Sequence, residues 1–400
     1  MFNSKTAPPI MEALEPRLFL DGAVDVQVLK GVLTITGDDQ ANSIVVTQSG
    51  FGQYVVKDTV NGTTLINGVL GGNNTPFACN GAVKIDLKGG ANQLAMETVI
   101  VGRTVFGSIV QSDLSITTGA GNDTIDLVSV VARRLTLNAG DGSNDSRVKM
   151  LVGGVRPHFT GNVSIKGGTG SDVVVLYGVL VGGNVTVSPG DGSNEFWLVT
   201  PPAVSVSPRI IGQVTYTGGS GTDLMAVRGV SFTDRANIGG VVINTKASAS
   251  TIELTDLDCH GAVKFQGGDQ VDQLTFTDAI FSGVVDIQTK GGNDTVRADD
   301  SEFERAVKLN LGANDDTLLI ETLDKLVTDV AFHGLLTVDF GTGNDSGEIG
   351  DDSSSLLEAA VFYAPATFKG GAGTHTLVCL PSGTRFNVFN EVTFTAITTS

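Results

Sequence analysis

The sequence predicts an all-β protein: a single right-handed parallel β-solenoid of about 13–14 coils with an N-terminal hairpin. Three observations lead to this prediction. A Gly-rich turn, GAGNDT at residues 119–124, recurs as GGNDT at 291–295 and as GTGND at 341–345. Apolar residues occupy fixed offsets from each copy of the turn. Most copies follow one another at intervals of 21–31 residues, the length of one solenoid coil.

The Asp of this turn is the anchor on which we align the repeats. Glycines stand two and four residues before most anchors, where a tight turn needs a positive φ angle and no Cβ. The residues nine before, seven before and four after the anchor are apolar in every repeat, and two after it only Ser146 and Gly347 break the pattern. The thirteen anchors are Asn42, Asn92, Asp123, Asn144, Asp172, Asn194, Asp223, Ser250, Asp272, Asp294, Asp316, Asp345 and His375.

Each repeat is therefore predicted to be a strand, a turn and a second strand, with alternate side chains facing a core. A unit this small cannot bury its apolar face alone, whereas a stack of such units forms a continuous core. The shortest repeats, of about 22 residues, suffice for a coil of three short strands and three turns. Right-handedness follows from the general preference of parallel crossover connections.

Longer repeats carry extra residues at one corner of the coil. These corner segments hold Arg156, Arg209 and Arg235, together with the aromatic residues Phe106, Phe159, Phe232, Phe332, Phe362 and Tyr363. Mixed Arg and aromatic content on loops is typical of contact surfaces. The alternative is that the aromatic side chains fold back over the sheet while the arginines lie in solvent.

The chain divides into an N-terminal segment, residues 1–22, and a solenoid, residues 23–400. Between the first two anchors the chain is longer than one coil, and residues 51–68 have the pattern of a hairpin that turns at Asn61-Gly62 and covers the N-terminal end. Near the C-terminus, Val392 and Phe394 supply the first strand of a fourteenth coil, for which no cap is evident.

Composition limits the classes of partner. The formal net charge is −18, which makes nucleic acid and anionic membrane surfaces unfavourable partners. No apolar run approaches the roughly 20 residues of a membrane-spanning helix. Cys79 and Cys259 occupy matching positions seven coils apart, too far for a disulfide between them, and we expect free thiols, which leaves the redox compartment open.

The N-terminal segment does not fit an ordinary secretory signal, because Glu12, Glu15 and Arg17 interrupt every apolar run. Residues 11–22 (MEALEPRLFLDG) instead resemble the N-terminal LEPR-x-L-L motif of large secreted or surface proteins, many of them from planctomycetes, with Phe19 where Leu is usual. Those proteins often carry Gly-Asn-Asp repeats. The resemblance implies an extracellular or cell-surface location; the alternative is a short segment that caps the first coil.

The Gly-rich turn also resembles the calcium-binding repeat of haemolysin-type (RTX) proteins. In that family the motif recurs every nine residues, so that turns face each other and supply oxygen ligands from both sides; here the interval is far longer. Asn and Asp also serve turns without a metal. The remaining candidates for isolated calcium sites are Asp272, Asp294 and Asp316, which follow one another in consecutive coils.

An enzyme would need paired carboxylates or a base with cationic partners. The pairs Asp256/Asp258, Asp299/Asp300 and Asp315/Asp316 exist, but the sequence places no cluster of Lys, Arg or His near them, and Trp197 is the one evident sugar platform. We therefore expect no catalytic site and no firm cofactor. The alternative is a polysaccharide-binding or polysaccharide-cleaving β-helix.

The function we predict is structural: an extracellular or cell-surface protein that binds copies of itself, head-to-tail or laterally, or other cell-surface components. Filaments or a surface layer would result from head-to-tail contacts. In that arrangement the C-terminal strand pairs with another subunit's first coil near Leu33 and Ile35, or with the N-terminal hairpin.

Overall fold

A computed structural model describes residues 22–59, 63–105, 108–151, 153–201, 205–231, 234–322, 329–350, 359–380, 384–386, 392–395 and 398–399. Every regular element in these ranges is a β-strand, and within them no helix is long and apolar enough to cross a membrane. Each coil has a first strand before the Gly-rich turn and a second strand after it, and most coils add a short third strand after the variable corner. The chain is a parallel β-solenoid, as the repeat pattern predicted.

First strands occur in fourteen successive coils: β2 (Val32–Thr36), β8 (Val83–Asp86), β12 (Leu114–Thr117), β15 (Leu135–Asn138), β18 (Val163–Lys166), β21 (Val185–Ser188), β23 (Arg209–Thr217), β25 (Ala236–Asn244), β28 (Val263–Gln266), β31 (Val285–Gln288), β34 (Val307–Asn310), β37 (Leu336–Asp339), β40 (Ala366–Lys369) and β43 (Val392–Thr395).

Second strands are equally numerous: β3 (Ser43–Gly50), β9 (Gln93–Glu97), β13 (Thr124–Val128), β16 (Asp145–Lys149), β19 (Val173–Tyr177), β22 (Asn194–Val199), β24 (Ser220–Arg228), β26 (Ala247–Thr255), β29 (Asp272–Thr277), β32 (Thr295–Asp299), β35 (Thr317–Ile320), β38 (Ser346–Ile349), β41 (Thr376–Cys379) and β44 (Thr398–Thr399).

Third strands are shorter: β14 (Val131–Ala132), β17 (His158–Phe159), β20 (Leu180–Val181), β27 (Leu257–Cys259), β30 (Ile280–Phe281), β33 (Glu302–Phe303), β36 (Val330–Phe332), β39 (Ala360–Phe362) and β42 (Thr384–Phe386). In two coils the third strand is continuous with the first, in β23 and β25. The remaining strands are β1 (Gly22–Leu29), β4 (Gln53–Asp58), β5 (Thr64–Ile66), β6 (Val69–Leu70) and β7 (Phe77–Ala78) near the N-terminus, and the hairpin β10 (Gly102–Val105)–β11 (Ser108–Gln111).

Equivalent strands of successive coils pair in parallel, so that equivalent residues meet. Ile116 is paired with Ile85 of the preceding coil and with Leu137 of the next. In the second strands, Leu127 is paired with Met96 and Val148. All six side chains are at most 2% exposed. The apolar columns therefore form the core, as predicted.

Aromatic residues of the variable corner belong largely to this core. Phe281, Phe303, Phe332 and Phe362 stack in successive coils, with ring centroids 5.1, 4.8 and 5.2 Å apart. Phe159 is also buried, whereas Tyr363 is half exposed. Interpreting these residues as a contact surface was therefore wrong for the phenylalanines that are described, because their side chains complete inward columns. Phe106 and Phe232 lie outside the described residues. All three cysteines are free thiols, as expected.

The N-terminal end is covered by antiparallel strands. β1 pairs with β2, placing Val28 opposite Leu33 and Val26 opposite Ile35, while β8 pairs with the other edge of β2. The predicted pairing within the hairpin is wrong: β4 pairs with β3 across a turn at Phe51, whereas β5 pairs with β1 and β6. Residues 60–62, which include the expected turn, and residues 1–21 lie outside the described residues. The edge at Leu33 and Ile35 is thus already paired on both sides.

Candidate functional site

The thirteen anchor residues are the most regular polar feature of the solenoid. All of them are buried, with exposed fractions between 0 and 4%. The burial of the anchors could have been predicted from the sequence pattern. Side chains two and four residues after the anchor face inward, and because side chains alternate along a strand, the anchor must face inward too. The interpretation as turn formers, with calcium candidates at Asp272, Asp294 and Asp316, does not include this inward position.

The anchors are joined by hydrogen bonds that run from coil to coil. The backbone N–H of Asn92 donates to Oδ1 of Asp123 at 2.7 Å, and that of Asp123 donates to Oδ1 of Asn144 at 3.0 Å. Further along, the N–H of Asp294 donates to Oδ1 of Asp316 at 2.9 Å. We call this line of buried side chains the anchor ladder. It satisfies backbone donors inside the turn that would otherwise be buried without acceptors.

Asn and Asp anchors differ in the second terminal atom of the side chain, which is Nδ2 in Asn and Oδ2 in Asp. Nδ2 of Asn144 donates to the carbonyl oxygens of Gly140 and Gly142, four and two residues earlier, at 3.2 and 3.0 Å. Asn194 makes the corresponding bonds to Gly190 and Gly192. Because Oδ1 makes the same bond in both residue types, Oδ2 of an Asp anchor takes the place of this donor. This oxygen accepts from the hydroxyl of Ser248 at Asp223, whereas it is buried without a hydrogen-bond partner at Asp123, Asp172, Asp272, Asp294 and Asp316.

The three calcium candidates lie in this ladder. Asp272, Asp294 and Asp316 occupy consecutive coils, and Oδ2 of each is buried without a hydrogen-bond partner. Burial, with a contribution from the neighbouring carboxyl of Asp294, raises the pKa of Asp272 to about 6 and that of Asp316 to about 8. Such oxygens can hold a proton or face a cation. In the described ranges no group of three acidic, His or Cys side chains has the arrangement of a metal site; calcium binding stays a prediction.

The anchor ladder ends at His375, which can form a buried ion pair with Asp345 when its imidazole is protonated. Nδ1 of His375 lies 2.7 Å from Oδ2 of Asp345, and both side chains are almost completely buried. Oδ1 of the same Asp345 accepts the N–H of Asp316 at 2.8 Å. His375 thus supplies the partner for Oδ2 that the three preceding Asp anchors lack.

Asp256 and Asp300, each from one of the predicted acidic pairs, have a structural explanation at the corner after the second strand, which they share with Asp278. Asp256, Asp278 and Asp300 adopt left-handed φ angles of 49°, 52° and 51°, a conformation that Asp tolerates better than most residues. Sequence reasoning missed Glu321 at the same corner. Its Oε2 accepts the backbone N–H groups of Val330 and Asp300, and burial, followed by the charge of Asp300, raises its pKa to about 8.

A cavity of about 430 Å³ opens beside these acids. Arg235, Asp300, Glu302, Asp329, His333 and Tyr363 are among the residues that line it. Nε2 of His333 lies 3.0 Å from Oε1 of Glu302, and its ring stacks on Tyr363 with centroids 4.6 Å apart. We expected no cluster of Lys, Arg or His near the acidic pairs, but the corner segments bring both Arg235 and His333 into the lining of the cavity that Asp300 borders.

A second cavity, of about 360 Å³, lies between longer corner segments. Its lining includes Arg156, Arg209, Asp234 and Arg235, so that Arg235 borders both cavities.

The sugar platform expected at Trp197 is covered. The guanidinium of Arg228 lies 5.4 Å from the centroid of the indole ring. The indole N–H donates to Glu195 at 2.9 Å. One face of the ring and its only donor are thus used within the chain.

Comparison with protein-family models, with curated proteins and with solved structures finds no match to this chain.

Proposed function

We propose that the chain is a non-enzymatic structural protein of the cell surface or extracellular space, a stiff rod that holds or spaces other components. The observation that supports this proposal is the unbroken parallel pairing of strands through fourteen coils, joined internally by the anchor ladder. Each coil is fixed to the next by strand hydrogen bonds, by a stacked apolar core and by buried polar bonds. Such a body resists bending and suits a spacer.

We infer self-association through the sides of the rod. β1 and β4 cover the N-terminal edge by antiparallel pairing with β2 and β3, and this argues against another subunit docking at Leu33 and Ile35. Lateral association leaves this cover in place. Analytical ultracentrifugation over a wide range of concentration, with and without calcium, tests it. A protein that remains monomeric throughout would refute self-association and leave the spacer role.

The proposed location outside the cell is tested by a separate experiment. We expect the protein in the extracellular or surface fraction of its native cells, detected by immunogold labelling of unpermeabilised cells. Removal of residues 1–22 should retain it inside, if that segment directs export as its LEPR motif suggests. Labelling only after permeabilisation would refute the surface role.

A second candidate is a polysaccharide-binding or polysaccharide-cleaving protein. The observation that favours it is the 430 Å³ cavity, where the carboxylate of Glu302 and the imidazole of His333 lie in contact at 3.0 Å. Incubation with a panel of polysaccharides and measurement of new reducing ends tests cleavage. Activity lost in Glu302→Gln would establish the enzyme; no cleavage by the wild-type protein would leave the structural role.

A further inference from the structure

The 360 Å³ cavity concentrates positive charge in a strongly acidic protein. Arg156, Arg209 and Arg235 line it, against one carboxylate, that of Asp234, while the chain as a whole has a net charge of −18. We propose that this cavity binds an oxyanion group, the sulfate or carboxylate carried by an acidic polysaccharide. The proposal rests on the proposed surface role for the source of the ligand, and it specifies the class of surface component that is bound.

Arg156 is fixed in the wall of the cavity. Its Nε donates to the carbonyl oxygen of Gly178 at 2.7 Å, and its Nη2 donates to those of Val179 and Ser207 at 3.0 and 2.7 Å. These bonds orient the guanidinium without neutralising it, because carbonyl oxygens carry no net charge. The positive charge of Arg156 is therefore held in place and remains available to an anion.

Arg209 supplies a second charge from the next corner. Its side chain is exposed, and within the described part of the chain it makes no hydrogen bond or ion pair. Burial lowers the pKa of Arg156, and the positive charge of Arg209 nearby contributes in the same direction. Two guanidinium groups that repel each other across a cavity gain from an anion placed between them.

Arg235 completes the arrangement. Its Nε donates to the carbonyl oxygen of Asp278 at 3.1 Å, a neutral acceptor like those of Arg156. Among the described residues of the lining, Asp234 has the one acidic side chain, and its backbone carbonyl accepts the hydroxyl of Ser207 at 2.7 Å. Because Arg235 also lines the 430 Å³ cavity beside Asp300 and Asp329, we count only Arg156 and Arg209 against Asp234, which leaves an excess of one positive charge.

The geometry of the side chains indicates the chemical class of the ligand. Guanidinium groups bind carboxylate and sulfate through paired, charge-assisted hydrogen bonds. Elsewhere the acidic surface repels polyanions, so an acidic polysaccharide is held at this corner by a few of its charged groups. A free inorganic anion offers the same chemistry without the sugar, and the experiment must separate the two sources.

Arg209→Ser is the informative variant, because the Arg209 side chain makes no bond within the described structure. Arg305→Ser, which removes an exposed arginine outside this cavity, is the matched control. The probes are a sulfated oligosaccharide, the same oligosaccharide without sulfate, and inorganic sulfate, each titrated by calorimetry at low and high ionic strength. Thermal melting of both variants checks that the fold is kept.

We expect the sulfated oligosaccharide to bind the wild-type protein and Arg305→Ser equally, and Arg209→Ser about tenfold more weakly. Added salt should weaken binding, and the unsulfated sugar should not bind. Inorganic sulfate that binds as tightly as the sulfated sugar would identify a free anion as the ligand and overturn the polysaccharide assignment. Equal binding by Arg209→Ser, or no binding of any probe to the wild-type protein, would overturn the site itself. Intracellular location with intact binding would refute only the surface role.

Discussion

Asp316→Asn should stabilise the solenoid, although it removes a charge from a residue in the middle of a hydrogen-bonded ladder. Oδ1 of Asp316 accepts the backbone N–H of Asp294, and an Asn side chain can keep this bond through its own oxygen. Oδ2 has no partner and is buried. In Asn the nitrogen replaces this oxygen and can donate to the carbonyl oxygens of Gly312 and Asn314, as Asn144 does to Gly140 and Gly142 in its own turn.

The magnitude follows from the carboxyl's pKa. Burial raises the pKa of Asp316 from 3.8 to about 8, so the folded protein favours the protonated form and ionisation at higher pH costs stability. Each pKa unit corresponds to about 1.4 kcal/mol, which sets an upper limit of about 6 kcal/mol above pH 8. Local relaxation reduces such penalties in proteins, and we expect Asp316→Asn to add about 2 kcal/mol at neutral pH.

The pH dependence has a defined sign. Below about pH 4, Asp316 is protonated in both the folded and the unfolded chain, and the penalty is absent. As the pH rises from about 4 to 8, only the unfolded chain gives up the proton freely, and the wild-type protein loses stability relative to Asp316→Asn. The advantage of the variant should therefore grow across this window and then level off.

Urea denaturation at several pH values in this window measures the difference in stability between the wild-type protein and Asp316→Asn. The reverse substitution, Asn144→Asp, introduces a carboxyl between Asp123 and Asp172 and should lower the stability. Parallel series with excess calcium and with a chelator test the calcium prediction, because a bound cation would stabilise the wild-type protein and not Asp316→Asn. A variant that is less stable than the wild-type protein at pH 8 in the presence of the chelator would refute the assignment of Oδ2 as an acceptor without a donor.

Three further predictions concern other parts of the molecule. Ile165→Asp should cost several kcal/mol and Lys166→Asp almost nothing, because Ile165 is 2% exposed while Lys166 faces solvent; equal shifts in melting temperature would contradict the register. Arg156→Ser should lower the free energy of unfolding by about 2 kcal/mol through the loss of three bonds to carbonyl oxygens, whereas Arg209→Ser should leave the melting curve unchanged. Glu321→Gln should gain stability relative to the wild-type protein as the pH rises from about 5 to 8, because burial raises the pKa of Glu321 to about 8 and its ionisation is penalised; a pH-independent difference in urea midpoint would argue against that cause.

The repeating part of the fold could be predicted from the sequence because strand geometry is local. Alternation along a strand decides which side chains face inward, and the Gly-rich turn sets where each strand ends. Leu114 and Ile116 could therefore be aligned with Val83 and Ile85 before any contact was known, and the structure pairs them in that register. The inward position of the anchors followed from the same alternation.

Only the tertiary structure determines the strand pairing and side-chain contacts where the repeat is interrupted. Three examples are the pairing of β4 with β3, the bonds of Arg156 to three carbonyl oxygens, and the contact of Glu321 with the N–H of Asp300. In each, the sequence distance between the partners depends on segments of irregular length. No periodic rule governs these distances. They depend on how each corner segment packs over the coil beneath it, and the charge and burial of its side chains follow from that packing.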